Sequence, residues 1–189
     1  MKGKLILVLG GSRSGKSEFA ENIAAQMGER VIYIATSAVR DEEMADRVRL
    51  HRERRPQGWE TVEEEKFICQ VTSKGREGDV FLLDCVTGWI TNLLLDELIP
   101  ETGAKSADKE SYIMEQVEQL METVDHGAHL IAVSNEVGLG LVPEYPLGRV
   151  FRDLAGKVNQ ALAQNADQVY FAIAGLHLEI KSMAVAKTE

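Results

Sequence analysis

Two cysteines in 189 residues, Cys69 and Cys85, lie far apart and without C-x-x-C spacing, which excludes a disulfide framework and a cysteine-based zinc site. Both read as small buried hydrophobes. Proline is also scarce, at four residues, and no Pro-, Gly- or Ser-rich tract reads as a linker, so the expectation is a single domain over 1–189. No apolar run approaches the roughly 20 residues that span a bilayer. Met1-Lys2-Gly3-Lys4 leads straight into an apolar run without a signal-peptide pattern, so the expected location is cytoplasmic. Positive charge is in deficit: 21 Lys and Arg stand against 30 Asp and Glu, a net charge of −9. That balance argues against a sequence-independent nucleic-acid surface, which needs many cations to neutralise phosphates, and favours a small soluble ligand. Of four histidines, His51, His126, His129 and His177, only His126 and His129 are close in sequence. They fall in a turn sequence, Asp125-His126-Gly127-Ala128-His129, and a pair alone supplies too few ligands for a metal.

What is present is a series of short, continuous apolar runs: Leu5 to Leu9, Val31 to Ala35, Val80 to Leu83, Leu130 to Val133 and Val169 to Ile173. Runs that do not alternate suit strands buried on both faces, hence a mostly parallel sheet with helices on both sides. The helical segments expected between them are Lys16 to Gln26, Glu42 to about Arg54, Gly88 to Leu98, Lys109 to Val124 and Leu147 to Gln164. Phe19, Ile23 and Met27 form a core stripe on the first, and the polar stretch Glu101 to Lys109 reads as a surface loop.

The most specific feature follows the first run. Gly10-Gly11-Ser12-Arg13-Ser14-Gly15-Lys16-Ser17 is a complete G-x-x-x-x-G-K-[ST] phosphate loop between strand and helix, the context the motif requires. Its glycines bring backbone N–H groups close to phosphate oxygens, and the following helix points its positive end at them. Lys16 is expected to reach the β/γ-phosphates and the Ser17 hydroxyl to ligate Mg²⁺. Such a fold is expected to be P-loop NTPase-like, with chemistry just beyond the strand ends: Thr36-Ser37, Asp84 and Ser134-Asn135-Glu136. Asp84 reads either as the second acidic element that holds Mg²⁺ opposite Ser17 or as a helix N-cap. Glu136 is a candidate general base for phosphoryl transfer, and the Gly- and Pro-containing loop Val137 to Arg149 is a candidate acceptor site.

A further segment, Glu42 to Pro56, reads as an amphipathic helix whose end is dense in arginine around His51. On spacing alone His51 is either a solvated or capping residue or a catalytic one. The ordered set of motifs is more informative. The phosphate loop is followed by Tyr33-Ile34-Ala35-Thr36-Ser37, His51-Arg52-Glu53-Arg54-Arg55-Pro56 with Trp59, and Leu83-Asp84-Cys85-Val86-Thr87. Then come Ser134-Asn135-Glu136-Val137-Gly138 and Phe151-Arg152-Asp153-Leu154-Ala155-Gly156-Lys157. From about Leu5 to Ile180 the chain resembles the bifunctional adenosylcobinamide kinase/adenosylcobinamide-phosphate guanylyltransferases of cobalamin biosynthesis.

That resemblance implies two reactions. A nucleoside triphosphate, ATP or GTP, phosphorylates adenosylcobinamide, and GMP is then transferred from GTP onto the new phosphate, giving adenosyl-GDP-cobinamide and pyrophosphate. It implies a GMP-histidine intermediate at His51. It also implies nucleotide contacts at Gly10 to Ser17, at Ala35, Thr36 and Ser37, at Arg52, Glu53, Arg54 and Arg55, at Glu63 and at Asp84. A homotrimer is implied as well. Ser12 stands where relatives often carry Ala, and Asp84 where some carry Glu; both exchanges keep the chemistry. A kinase without nucleotidyl transfer and a nucleotide-dependent switch are the alternative readings, the latter lacking an N-K-x-D guanine-reading motif.

Overall fold

The apolar runs form strands, and their alternate residues are buried on opposite faces of one sheet. The computed structural model describes residues 2–37, 56, 58–97 and 105–185. Within them the strands are β1 (Leu5–Gly10), β2 (Val31–Ala35), β3 (Glu60–Glu63), β4 (Val80–Asp84), β5 (His129–Asn135), β6 (Gln168–Ile173) and β7 (Leu176–Glu179). They build a seven-stranded sheet in the order β3-β2-β4-β5-β1-β6-β7, with every pairing parallel except β6 with β7. The helices are α1 (Lys16–Met27), α2 (Ile68–Thr72), α3 (Val86–Leu94), α4 (Lys105–Met121) and α5 (Pro146–Asn165), with a 3-10 turn at Glu122–His126.

Leu5, Leu7 and Leu9 of β1 share one core with Trp89 and Ile90 of α3, Ile113 and Val117 of α4, and Leu154 and Val158 of α5. Ile6 and Val8, pointing the other way, join Tyr33, Leu82, Ile131 and Val133 against Ala20 and Ala24 of α1. This is the two-faced burial that continuous apolar strands require. On α1 the fully buried residues are Ala20 and Ala24, while Phe19, Ile23 and Met27 flank them half-buried. Alanines facing the sheet let the helix approach it closely, so the larger residues serve as its shoulders.

Several expectations need revision. The edge strands β3 and β7 and the short α2 were not anticipated from the apolar runs. Helix α3 starts at Val86 and ends at Leu94, short of Leu98. Residues 105–109 belong to α4 rather than to a surface loop, because the buried stripe Ile113, Val117 and Leu120 carries the helix backwards through polar residues. The segment Glu42 to Arg54 lies outside the described residues. Neither thiol is a plain hydrophobe: Cys69 Sγ donates to the Gln116 carbonyl at 3.3 Å, and burial pushes that thiol up to about 11. His129 Nδ1 accepts the Lys4 backbone N–H at 3.0 Å.

The β6–β7 hairpin turns on Ala174 and Gly175, with φ of 51° and 79°, a two-residue connection of the kind that matches strand twist. At the end of β7 the Glu179 carboxylate accepts the backbone N–H groups of Val169, Lys181 and Ser182 at 3.2, 3.0 and 2.9 Å. Hydrogen bonds led by those of Ser182 hold its pKa down at about 2. A carboxyl depressed on folding adds stability above the unfolded value, about 4.3, and loses it as pH falls toward about 2. The stability difference between the native chain and Glu179→Gln is therefore expected to be widest above pH 5 and to narrow on acidification, measured by denaturant melts across pH. A difference independent of pH contradicts this origin.

Candidate functional site

The carboxyl ends of β2, β3, β4, β5 and β1 lie side by side, so residues distant in sequence share one edge. In register, Ala35 pairs with Glu63 on one side and with Asp84 on the other, while Gly10 pairs with Asn135. The predicted positions Gly10 to Ser17, Ala35, Thr36, Ser37, Glu63 and Asp84 thus converge on this edge. His51, Arg52, Glu53, Arg54 and Arg55 lie outside the described residues.

The phosphate loop is shaped by its backbone. Gly15 caps α1 in the left-handed region at φ 91°, and Arg13 also has positive φ at 57°. Side chains of Ser12 and Arg13 are exposed, while Ser14 is buried. The loop closes on itself through the Ser14 N–H, which donates to the Gly11 carbonyl at 3.3 Å. Its neighbours brace it. The Gly175 N–H of the β6–β7 turn donates to the Ser14 carbonyl at 3.1 Å, and the Glu136 N–H donates to the Gly10 carbonyl at 3.1 Å. His177 of β7 stacks on Phe19 of α1, ring centroids 4.0 Å apart.

Lys16 opens α1 and is 8% exposed. Its ammonium donates to the Gly11 carbonyl at 3.1 Å, so the charge is folded into the loop it serves. Burial pushes Lys16 below the ordinary lysine range, and the nearby Asp84 carboxylate and Cys85 pull it back up. The Asp84 carboxylate is thus close enough to act on the Lys16 ammonium. A buried ammonium with one neutral acceptor is poised for an anion, because a phosphate supplies the charge-assisted hydrogen bonds it lacks.

Asp84 ends β4 half-buried, and its Oδ2 accepts the Tyr33 hydroxyl at 2.8 Å. It is not the cap of α3. Cys85 is, its Sγ accepting the Gly88 N–H at 3.3 Å. The Asp84–Cys85 peptide is cis. Thr36, fully buried, grips the Cys85 backbone: its Oγ1 accepts the Cys85 N–H and donates to the Cys85 carbonyl, both at 2.8 Å. Asn92 of α3 donates to the Thr36 carbonyl at 2.8 Å, and Asn135 Nδ2 donates to Thr87 Oγ1 at 2.7 Å. The ends of β2, β4 and β5 are thus tied into one polar network. Glu136 Oε1 accepts the Gly138 N–H at 2.7 Å and shapes the start of its loop. Tyr33, Asn92 and the capping role of Cys85 escaped sequence reasoning. The readable signal for Tyr33 was a hydroxyl inside an otherwise apolar run.

This edge, with its phosphate loop, buried lysine and opposing carboxylate on a parallel sheet, defines a P-loop nucleotide-binding protein. An ATPase from the type III secretion system of pathogenic bacteria shares the fold at a TM-score of 0.53 and 15% identity, covering 98% of this chain and 61% of that one. The chain belongs to the cobinamide kinase / cobinamide phosphate guanyltransferase family, which it matches over residues 6–180. It is 42% identical over 185 residues to the bifunctional adenosylcobalamin biosynthesis protein CobU of Escherichia coli (strain K12), a match covering 94% of this chain and 99% of the relative. The CobU of Salmonella typhimurium is 41% identical over 182 residues, covering 94% and 99%. The CobP of Pseudomonas aeruginosa is 41% identical over 177 residues, covering 93% and 96%.

The loop glycines are not equivalent. A Cβ at Gly10 would lie 2.5 Å from the Ala172 carbonyl oxygen and 2.6 Å from Ser14 Oγ, whereas one at Gly11 meets nothing within 4 Å. Gly10→Ala is expected to destabilise the fold by about 1–3 kcal/mol. Gly11→Ala is expected to stay within about 0.5 kcal/mol of the native chain. Urea denaturation of the two variants checks the contrast.

Proposed function

We propose that this chain performs both reactions of its family in succession at the edge just described: phosphorylation of the adenosylcobinamide hydroxyl, then guanylyl transfer to the phosphate it has made. The observation that carries this reading is the family match across nearly the whole chain together with a complete, braced phosphate loop. In the first step the acceptor hydroxyl oxygen attacks the γ-phosphorus, its proton is lost, and the nucleoside diphosphate leaves. In the second, the His51 imidazole attacks the α-phosphorus of GTP and pyrophosphate leaves. A phosphate oxygen of adenosylcobinamide phosphate then attacks the GMP-histidine phosphorus and frees the imidazole. Splitting the transfer in two lets a neutral imidazole act as nucleophile near pH 7.

Lys16 and the loop N–H groups are assigned to hold and neutralise the β/γ-phosphates. Arg52, Arg54 and Arg55 are assigned to the phosphate chain near His51, where a guanidinium can grip two oxygens at once. Ala35, Thr36, Ser37, Glu53 and Glu63 complete the assigned nucleotide contacts. The hydroxyl of Ser17 and the carboxylate of Asp84 are the hard oxygen donors Mg²⁺ prefers, and Asp84 Oδ1 has no hydrogen-bond partner among the described residues. When bound there, Mg²⁺ would offset the negative charge of the triphosphate.

The corrinoid acceptor is assigned to the loop between β5 and α5. Its start is fastened to the phosphate loop at Gly10, and it exposes Leu139, Leu141, Val142 and Tyr145. Exposed apolar side chains gathered on one loop support that assignment. Among the described residues no helix is long and apolar enough to cross a membrane; we place the reactions in the cytoplasm and, on the family resemblance, the working assembly as a homotrimer.

Incubation with Mg²⁺ and GTP labelled at the α-phosphate, followed by denaturation, tests the second step. The native chain is expected to retain acid-labile, alkali-stable label, as a phosphoramidate does. His51→Ala is expected to retain none while still binding GTP within a few-fold of the native affinity. Undiminished label on that variant would falsify the assignment of His51.

A further inference from the structure

Tyr33 and Asp84 are brought together by the register of the sheet. Tyr33 pairs with Leu82, and Asp84 lies two residues beyond Leu82 on the same strand, so Tyr33 and Asp84 form a diagonal cross-strand pair. Leu82 and Tyr33 both belong to the core beneath α1. The Asp84 carboxylate therefore emerges on the α1 face, the side on which Lys16 and Ser17 begin that helix. Tyr33 is 3% exposed, and its hydroxyl donates to Asp84 Oδ2 at 2.8 Å. A hydrogen bond from a buried donor to an ionised oxygen is among the stronger ones, and it restrains a carboxylate that would otherwise rotate about its last torsion. The same bond engages Oδ2, while Oδ1 has no hydrogen bond among the described residues. On the main-chain side, the Thr36 hydroxyl grips the Cys85 peptide just after the carboxylate.

We propose that Tyr33 is a positioning residue: it fixes the orientation of the Asp84 carboxylate that would hold the cation of a bound Mg²⁺–nucleoside triphosphate. The proposal rests on the assignment of Asp84 to Mg²⁺ made above. In this role Tyr33 acts through the Asp84 carboxylate rather than on the nucleotide or the metal itself.

The test is a Mg²⁺ titration of fluorescent N-methylanthraniloyl-GTP binding to the native chain, Tyr33→Phe and Asp84→Asn, with affinity in EDTA measured alongside. For Tyr33→Phe the Mg²⁺ concentration giving half of the metal-dependent gain in affinity is expected to rise by roughly tenfold, the scale set by losing one hydrogen bond to a charged group. Its affinity in EDTA is expected to match the native chain, which a merely structural defect would not permit. Asp84→Asn is expected to shift the midpoint at least as far. An unmoved midpoint in Tyr33→Phe with a shifted one in Asp84→Asn overturns the positioning role while leaving the metal assignment intact. Unmoved midpoints in both overturn the two together. Equal losses in EDTA and in Mg²⁺ make Tyr33 a packing residue and overturn the proposal.

Discussion

The structure turns on a positive charge that has been withdrawn from water. Lys16 is buried at the head of α1 and bonded to the carbonyl of its own loop, and burial lowers its affinity for a proton while Asp84 raises it. An ammonium in that setting is costly unless a counter-charge stands near or arrives. Asp84 is the standing counter-charge; in the proposed function a triphosphate is the arriving one.

The sheet supplies the rigidity. Because β4 and β1 are separated by β5, Asp84 and the phosphate loop come from non-neighbouring strands, and nothing local in sequence aligns them. The alignment comes from parallel registers that bring Ala35, Asp84, Gly10 and Asn135 to the same edge. Thr36, Asn92, Thr87 and Asn135 then stitch the strand ends together. On the far side, the Gly175 N–H binds the Ser14 carbonyl. The antiparallel hairpin is thus a brace for the loop as well as an edge of the sheet. A site fixed by several elements in this way is preorganised, which is how positioning contributes to phosphoryl and nucleotidyl transfer.

Much of this was legible in the residues, and the exceptions have physical causes. The path from β1 through Gly10 to Ser17 into α1 could be read directly, because phosphate binding demands those residue types at that spacing. Central strands could be read because burial on both faces leaves continuous apolar runs. Edge strands could not: Glu60-Thr61-Val62-Glu63 is short and half polar. The turn into Leu176–Glu179 requires positive φ at Ala174, a residue that gives no turn signal. Asp84 could be read two ways because the same residue type suits a metal and a helix cap. Only the fold shows that Cys85 takes the cap and releases the carboxylate. Tyr33 was hidden for a similar reason, since a strand composed of Val, Ile and Tyr satisfies β-propensity whatever its hydroxyl does.

The central claim is that the buried Lys16 ammonium is the principal anchor of the nucleotide phosphates. Equilibrium binding of GTP to Lys16→Ala, measured calorimetrically against the native chain, tests it most directly. Loss of a charge-assisted contact to phosphate predicts affinity reduced by at least about tenfold, with the unliganded fold retained. An unchanged dissociation constant would contradict the account.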